Sequence, residues 1–304
     1  MASTSTVKRL RAVEESPNWL ELPHELMANI LKRLGDVEIL NSAVKVCTTW
    51  RRIGRDPAMW KVINMYKPAR ARNANYDLEA LTTQAVHLSS GELIDISLEG
   101  FGTDDDFLYH IVSRSSKLNS LCLTNCYNIT GSGLTHVLKR ALQLEKLYIT
   151  YTSSIKYNEV VVPNCPHLKS FKLDKACIYE GIVNDDDALA IAKNMPELRQ
   201  LQLYGNAMSN NGLKAILDGC PHLESLDIRM CYNVDINGNE LKPSLERLKS
   251  FKGPNDSTEN CGFHPRVFEN VDSDDSLDYY FDGCGLTDDD DDDDAGFYID
   301  YYSL

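Results

Sequence analysis

The stretch GCPHLESLDI, residues 219–228, echoes NCPHLKSFKL, residues 164–173, of the same chain. Five of the ten positions are identical, and two more exchange one large apolar residue for another. Aligning on this phrase exposes a series. The pattern L-x-x-L-x-L, with other large apolar residues substituting, occurs at Leu93/Ile96/Leu98, Leu118/Leu121/Leu123 and Leu144/Leu147/Ile149. It continues at Leu168/Phe171/Leu173, Leu198/Leu201/Leu203 and Leu223/Leu226/Ile228. Successive rows begin 25, 26, 24, 30 and 25 residues apart. Even recurrence at a period of about 20–30 residues marks a stacked repeat.

The second and third apolar residues of each row alternate with polar ones, as a strand with one buried face requires. Helix-start signals come after most rows. Ser209-Asn-Asn-Gly precedes Leu213, Ile216 and Leu217; Thr130-Gly-Ser-Gly precedes Leu134, Val137 and Leu138; Asn184-Asp-Asp-Asp precedes Leu189, Ile191 and Ala192. Short polar side chains there can accept the orphan amides of a helix N-terminus, and carboxylates suit its positive end. Gly219-Cys-Pro and Met195-Pro then stop the helices, since proline cannot continue one. Strands pair about 4.8 Å apart whereas helices need about 10 Å, so stacking such units bends the sheet inward. The expected fold is α/β, a curved solenoid with a parallel sheet on its concave side and helices outside. No row can bury its leucines alone.

Cys126-Tyr-Asn-Ile and Cys231-Tyr-Asn-Val after their strands, with Asn164-Cys-Pro-His-Leu and Gly219-Cys-Pro-His-Leu before others, resemble cysteine-containing leucine-rich repeats. The resemblance implies that the cysteine is a small buried residue turning the chain out of the strand, so packing is expected for Cys126, Cys165, Cys220 and Cys231. A zinc site from Cys165/His167 and Cys220/His222 is the competing reading. Stacking sets those pairs side by side without a closed set of four ligands, and no metal is expected.

The net charge of −14 belongs to one end: residues 272–304 hold thirteen Asp, including Asp288 to Asp294, and no Lys or Arg, leaving the other 271 residues near −1. Seven adjacent carboxylates repel one another and bury nothing, so a disordered tail is expected, either solvating or addressed to a basic partner. It is not an EF-hand, which needs Gly at its sixth loop position and Glu at its twelfth. No window approaches eighteen uninterrupted apolar residues, so no membrane span is expected. Nine cysteines, an odd number, with no secretory signal read as reduced thiols in the nucleus or cytoplasm.

Residues 17–64, PNWLELPHELMANILKRLGDVEILNSAVKVCTTWRRIGRDPAMWKVIN, lack this rhythm. Pro23 suits a first helical turn, and Leu26, Met27, Ile30, Leu31 and Leu34 recur at helical spacing up to Gly35. Asp36 can cap a second helix carrying Ile39 and Leu40, and a third is expected from Asn41 to Ile53 with Ala43, Val44, Val46, Cys47 and Trp50 on one side. Three short helices make a small core that gains from a partner, and Leu22-Pro23, Trp50 and Trp60 are suited to dock.

Leu22-Pro23-x-Glu25-Leu26, Ile30-Leu31, Leu34, Val46-Cys47-x-x-Trp50-Arg51 and Asp56-Pro57-x-x-Trp60 closely resemble the F-box. Gly35 departs from the Pro that many members carry after the equivalent leucine. The resemblance implies direct docking on the Skp-type adaptor of an SCF (Skp–cullin–F-box) ubiquitin ligase through Leu22, Pro23, Leu26, Ile30, Leu34, Val46, Cys47 and Trp50, with the cullin and RING subunit joined indirectly. It also implies that Trp60 packs the module onto the next part of the chain. The whole arrangement looks like the plant F-box/leucine-rich-repeat proteins described as Skp-interacting partners. The expected layout is a flexible N-terminus over 1–16, F-box over 17–64, linker over 65–76, leucine-rich-repeat array over 77–252 and acidic tail over 253–304. Leu245, Leu248 and Phe251 suit either a worn seventh row or an end cap.

Alternation places Lys146, Tyr148, Lys172, Gln202, Tyr204, Asp227 and Arg229 on the concave face. This mixture of both signs, with tyrosines, suits a protein or peptide surface. It lacks the positive stripe that phosphate backbones require, so nucleic acid is disfavoured, and a merely solvated sheet face is the plainer alternative. The function expected is a substrate receptor: head to the ligase, concave sheet to an unknown protein substrate, with chemistry supplied by proximity. A small-molecule receptor would need inserted loops to roof a pocket. A scaffold outside any ligase would bind the adaptor without a cullin. An enzyme is disfavoured by the lack of a Gly-rich phosphate loop, GxSxG or HExxH, and no cofactor is expected.

Overall fold

A computed structural model describes residues 22–66, 76–100, 102–126, 128–150, 165–174, 177–179, 182–238, 240–258 and 266–268. The expectations for residues 1–16, for most of the linker and for disorder in the tail fall outside these residues. The chain begins with α1 (His24–Lys32), α2 (Asp36–Asn41), a 3₁₀ turn (Ala43–Lys45), α3 (Thr48–Ile53), a second 3₁₀ turn (Pro57–Trp60) and β1 (Val62–Met65). Then come α4 (Leu78–Leu88), β2 (Asp95–Glu99), α5 (Asp105–Ser113), β3 (Ser120–Thr124), α6 (Gly131–Leu138), β4 (Lys146–Thr150), β5 (Ser170–Asp174) and β6 (Cys177–Tyr179). The last elements are α7 (Asp186–Asn194), β7 (Gln200–Tyr204), α8 (Asn210–Gly219), β8 (Ser225–Asp227), α9 (Lys242–Glu246), β9 (Ser250–Lys252) and β10 (Arg266–Phe268).

Eight strands form one parallel sheet in the order β1-β2-β3-β4-β5-β7-β8-β9, so consecutive rows are spatial neighbours. The register is that of the rows: Ile96, Leu121, Leu147, Phe171, Leu201 and Leu226 lie side by side. All eighteen apolar residues of the six rows are buried, none more than 4% exposed. Each contributes about 1.5–3 kcal/mol relative to exposure, set against the entropy of ordering the chain. Ile63 of β1 and Phe251 of β9 extend the same line at either end, so Leu245/Leu248/Phe251 belongs to a seventh row.

The backbone fastens row to row in a uniform way. The carbonyls of Lys61, Ile94, Asn119, Glu145, Lys169, Arg199 and Glu224 each accept from two successive amides of the next row, at 2.8–3.2 Å. A left-handed residue comes after β2, β3 and β7, namely Gly100, Asn125 and Gly205, and Met230 plays that part after β8. It turns the chain out of the sheet. Cys126 and Cys231 are next, fully buried, and each thiol donates back to the previous row, to the Leu98 and Leu203 carbonyls.

Helix starts use expected residues in all three stretches: Thr130 caps α6, Ser209 caps α8, and the Asn184 side-chain oxygen accepts the Asp186 amide at the start of α7 at 2.8 Å. Two expectations are corrected. Asp185 makes no cap bond to its own helix, because its carboxylate accepts the amide and hydroxyl of Ser209 in the next row, at 2.7 and 2.8 Å. Asp105 does the same for Thr130. Asp36 is not the cap of α2, which is Gly35 at φ +84°; its carboxylate instead accepts the Asn64 amide of β1 at 2.5 Å. The third expected helix is also split. Cys47 is extended, and its sulfur accepts the Trp50 amide at the start of a shorter α3.

The helical head is joined to the array. β1 comes directly after it and pairs with β2, while α4 packs on α2, on β1 and on the second 3₁₀ turn. One hydrophobic core runs from Met27 to Leu241. Trp60 is fully buried in it, its indole N–H donating to the Gly54 carbonyl at 3.0 Å, so it packs the head against the array and is no docking anchor.

Candidate functional site: an apolar head and a polar concave face

Two surfaces carry the candidate residues. On the head, Leu22, Leu26, Ile30 and Leu34 recur every fourth residue and so share one stripe of α1 and its flanks. Met27 and Leu31, on the other side of α1, are buried. The stripe stays open: Leu22 is 36% exposed, Leu26 52% and Leu34 48%, with Ile30 half-buried. Pro23 is exposed, and Val46, between the first 3₁₀ turn and α3, is 63% exposed. Cys47 and Trp50 are half-buried, and α1 packs against both α2 and α3. Exposed aliphatic side chains gathered on one small module have the composition of a docking face.

On the concave face the register sets Tyr148, Lys172, Gln202 and Asp227 on consecutive strands in a single line, with Lys252 of β9 completing it. Lys146 lies one line below and Tyr204 one line above. Lys146 is exposed, and Tyr148, Lys172 and Gln202 are half-buried. The remaining three are consumed inside the chain. Arg229 meets Asp227 through two parallel bonds, Nε to Oδ1 at 2.9 Å and Nη2 to Oδ2 at 2.5 Å. Its Nη1 donates to the Ser257 carbonyl, and its guanidinium sits 5.1 Å from the centre of the Tyr204 ring. All three side chains are buried, which corrects their reading as open contact points.

Lys172 stands 3.0 Å from Asp174 Oδ2, and Gln202 donates to both Asp174 oxygens. Burial pushes the Asp174 carboxyl up, against the pull of Lys172 and Gln202. Burial likewise raises Asp95 and Glu99 at the other end of the sheet. Lys252, 3.6 Å from Asp227, was not legible as a site residue, because its row keeps only part of the apolar pattern.

The cysteine–histidine pairs do not converge. Cys165 and Cys220 point into the core while His167 and His222 are exposed. Burial pushes the Cys165 and Cys220 thiols up to about 11 and Cys126 up to about 12, away from the thiolate that binds metals.

An F-box-like family model matches residues 19–65, and a model of the LRR repeats of an FBD-associated F-box protein matches residues 172–252. F-box protein SKIP19 of Arabidopsis thaliana is 43% identical over 298 residues, spanning 95% of this chain and 97% of that protein. The chain belongs to the F-box/leucine-rich-repeat family. Putative F-box/LRR-repeat protein 9 of the same plant is 41% identical, over 80% of this chain and its own full length. Among solved structures, a chain from the crystal structure of the Rad7 and Elc1 complex in yeast aligns over 75% of this chain and 68% of its own, with a TM-score of 0.38 and 16% identity. The F-box of this family member is the helical head, and its leucine-rich repeats supply the parallel sheet.

Proposed function

We propose that this F-box/leucine-rich-repeat protein is a substrate-recognition subunit of an SCF-type ubiquitin ligase. Its head docks on a Skp-type adaptor, and through it on the cullin and RING subunit. Its concave sheet holds the protein to be ubiquitinated. The observation that carries the reading is the open stripe of Leu22, Leu26, Ile30 and Leu34 on a head whose other face is welded into the array. A rigid junction supports the task, since a receptor acts by fixing the distance between a target and the charged enzyme. The chain itself contributes position and no reaction step. Lys146, Tyr148, Lys172 and Gln202 are the side chains open to a target.

The decisive experiment measures adaptor binding by the full chain carrying Leu22→Ala, Pro23→Ala and Leu26→Ala together. All three side chains are exposed, so the circular dichroism spectrum stays unchanged while affinity falls at least about 100-fold, as expected when several apolar anchors are lost together. Undiminished binding by the triple variant would refute the reading.

A further inference from the structure

Four cations, Lys45, Arg51, Arg52 and Arg55, stand within eleven residues of the head, and the sequence holds no Asp or Glu between Glu38 and Asp56. Three of the four meet at one place. Lys45, Arg51 and Arg55 line a cavity of about 250 Å³ at the seam between the head and the first helix of the array, where Gln84 and Leu88 of α4 face them.

These charges are unanswered among the described residues. Arg51 Nε donates to the Val44 carbonyl at 3.1 Å, which fixes the guanidinium and leaves both Nη groups unbonded. Lys45 and Arg55 are exposed and make neither a side-chain hydrogen bond nor an ion pair among the described residues. The carboxylates of the neighbourhood are engaged elsewhere. Glu38 accepts the Tyr76 hydroxyl, Asp56 accepts the Ala58 amide and stands 3.8 Å from His24, and Glu92 pairs with Lys117. Glu79 of α4 is five residues from Gln84, about 140° round the helix. None of the four lines the cavity. Arg51 and Arg55, four residues apart, repel each other, so a fold that gathers them gains from an anion. Guanidinium forks match phosphate oxygens two at a time, an ammonium adds a point charge, and Gln84 offers an amide to a remaining oxygen. The volume is below the roughly 300–1,000 Å³ of common ligand pockets, which restricts the guest to a compact group.

We infer that this seam binds a small phosphate-bearing anion, gripped by Lys45, Arg51 and Arg55 of the head and by Gln84 of α4. Its two walls belong to different parts of the fold, so the bound anion braces the junction between them. The test is isothermal titration calorimetry of the full chain with inorganic phosphate and, separately, pyrophosphate at constant ionic strength, paired with amide hydrogen exchange. Saturable one-to-one binding of at least one probe is expected, with exchange slowed in α3 and α4. Lys45→Gln combined with Arg55→Gln removes no bond of the fold and should weaken binding at least about tenfold, as two charge-assisted contacts are lost. Arg52→Gln, outside the cavity, should change it by less than about twofold, its charge being screened. Absence of saturable binding, equal losses in the double variant and Arg52→Gln, or protection that spares α3 and α4 would each overturn the inference. If neither probe binds and the double variant instead loses adaptor affinity, the cavity belongs to a carboxylate of the partner and the inference falls. The titration contains neither adaptor nor target, so its failure leaves the receptor reading standing.

Discussion

Arg229, Asp227 and Tyr204 show what a single side chain's position in a sheet does and does not determine. Alternation along the strand put all three on the concave face, and they are there. It carried no information about Ser257, whose carbonyl takes the third guanidinium contact from 28 residues away, or about the ring that the guanidinium covers. Asp227→Ala strands a buried guanidinium and is expected to lower stability by about 3 kcal/mol, read as the midpoint of denaturant unfolding. Tyr148→Ala removes a half-open side chain and leaves that midpoint nearly unchanged, while weakening target capture. Asp36 gives a pH signature. Burial pushes its carboxyl up to about 6, outweighing the Asn64 amide and Lys32, so the folded chain binds its proton more tightly than the unfolded one. The contribution of Asp36 therefore strengthens as pH falls from 7 toward 4, and fades as pH rises through the folded value. Unfolding free energies of the parent minus Asp36→Asn should show that slope across the window; a flat difference would refute it.

Between elements, one carboxylate from each of two rows grips the start of the next helix. Asp105 holds Thr130 and Asp185 holds Ser209, each taking an amide and a hydroxyl. Gly133 and Gly212 make room for the grip, since a Cβ at either would collide with that same carboxylate. Gly212→Ala is expected to cost about 1–3 kcal/mol, and Asp185→Ala should nearly abolish the additional effect of the alanine in a double-mutant cycle. Helix starts were legible because a cap is a local motif. The partner of Asp185 was not, since it sits 24 residues away on another row. The short strands escaped for a related reason. Val62–Met65, Cys177–Tyr179 and Arg266–Phe268 lack the leucine triplet, and each exists only because a neighbouring strand supplies its hydrogen bonds. Row strands, with their own apolar triplets, were plain from the start.

At the scale of the molecule, the head and the array share one core. Periodicity distinguishes them as two patterns that meet near β1, yet it could not reveal that α4 and Trp60 bind the two together. Trp60→Ala opens a cavity and orphans the Gly54 carbonyl, at a cost of about 3–5 kcal/mol. Because the core is continuous, amide hydrogen exchange should accelerate in α1 to α3 and in β1 and β2 together. Faster exchange in the helices alone would mean that the head folds as an independent unit.

The seven carbonyls that each receive a pair of amides have a consequence for how such a receptor can diversify. This fastening is made by main chain alone and is indifferent to what projects from the opposite wall. Outside the buried cluster of Tyr204, Asp227 and Arg229, the outward-facing letters of each strand can therefore be respelled to grip a new protein while the frame beneath them stays as it was.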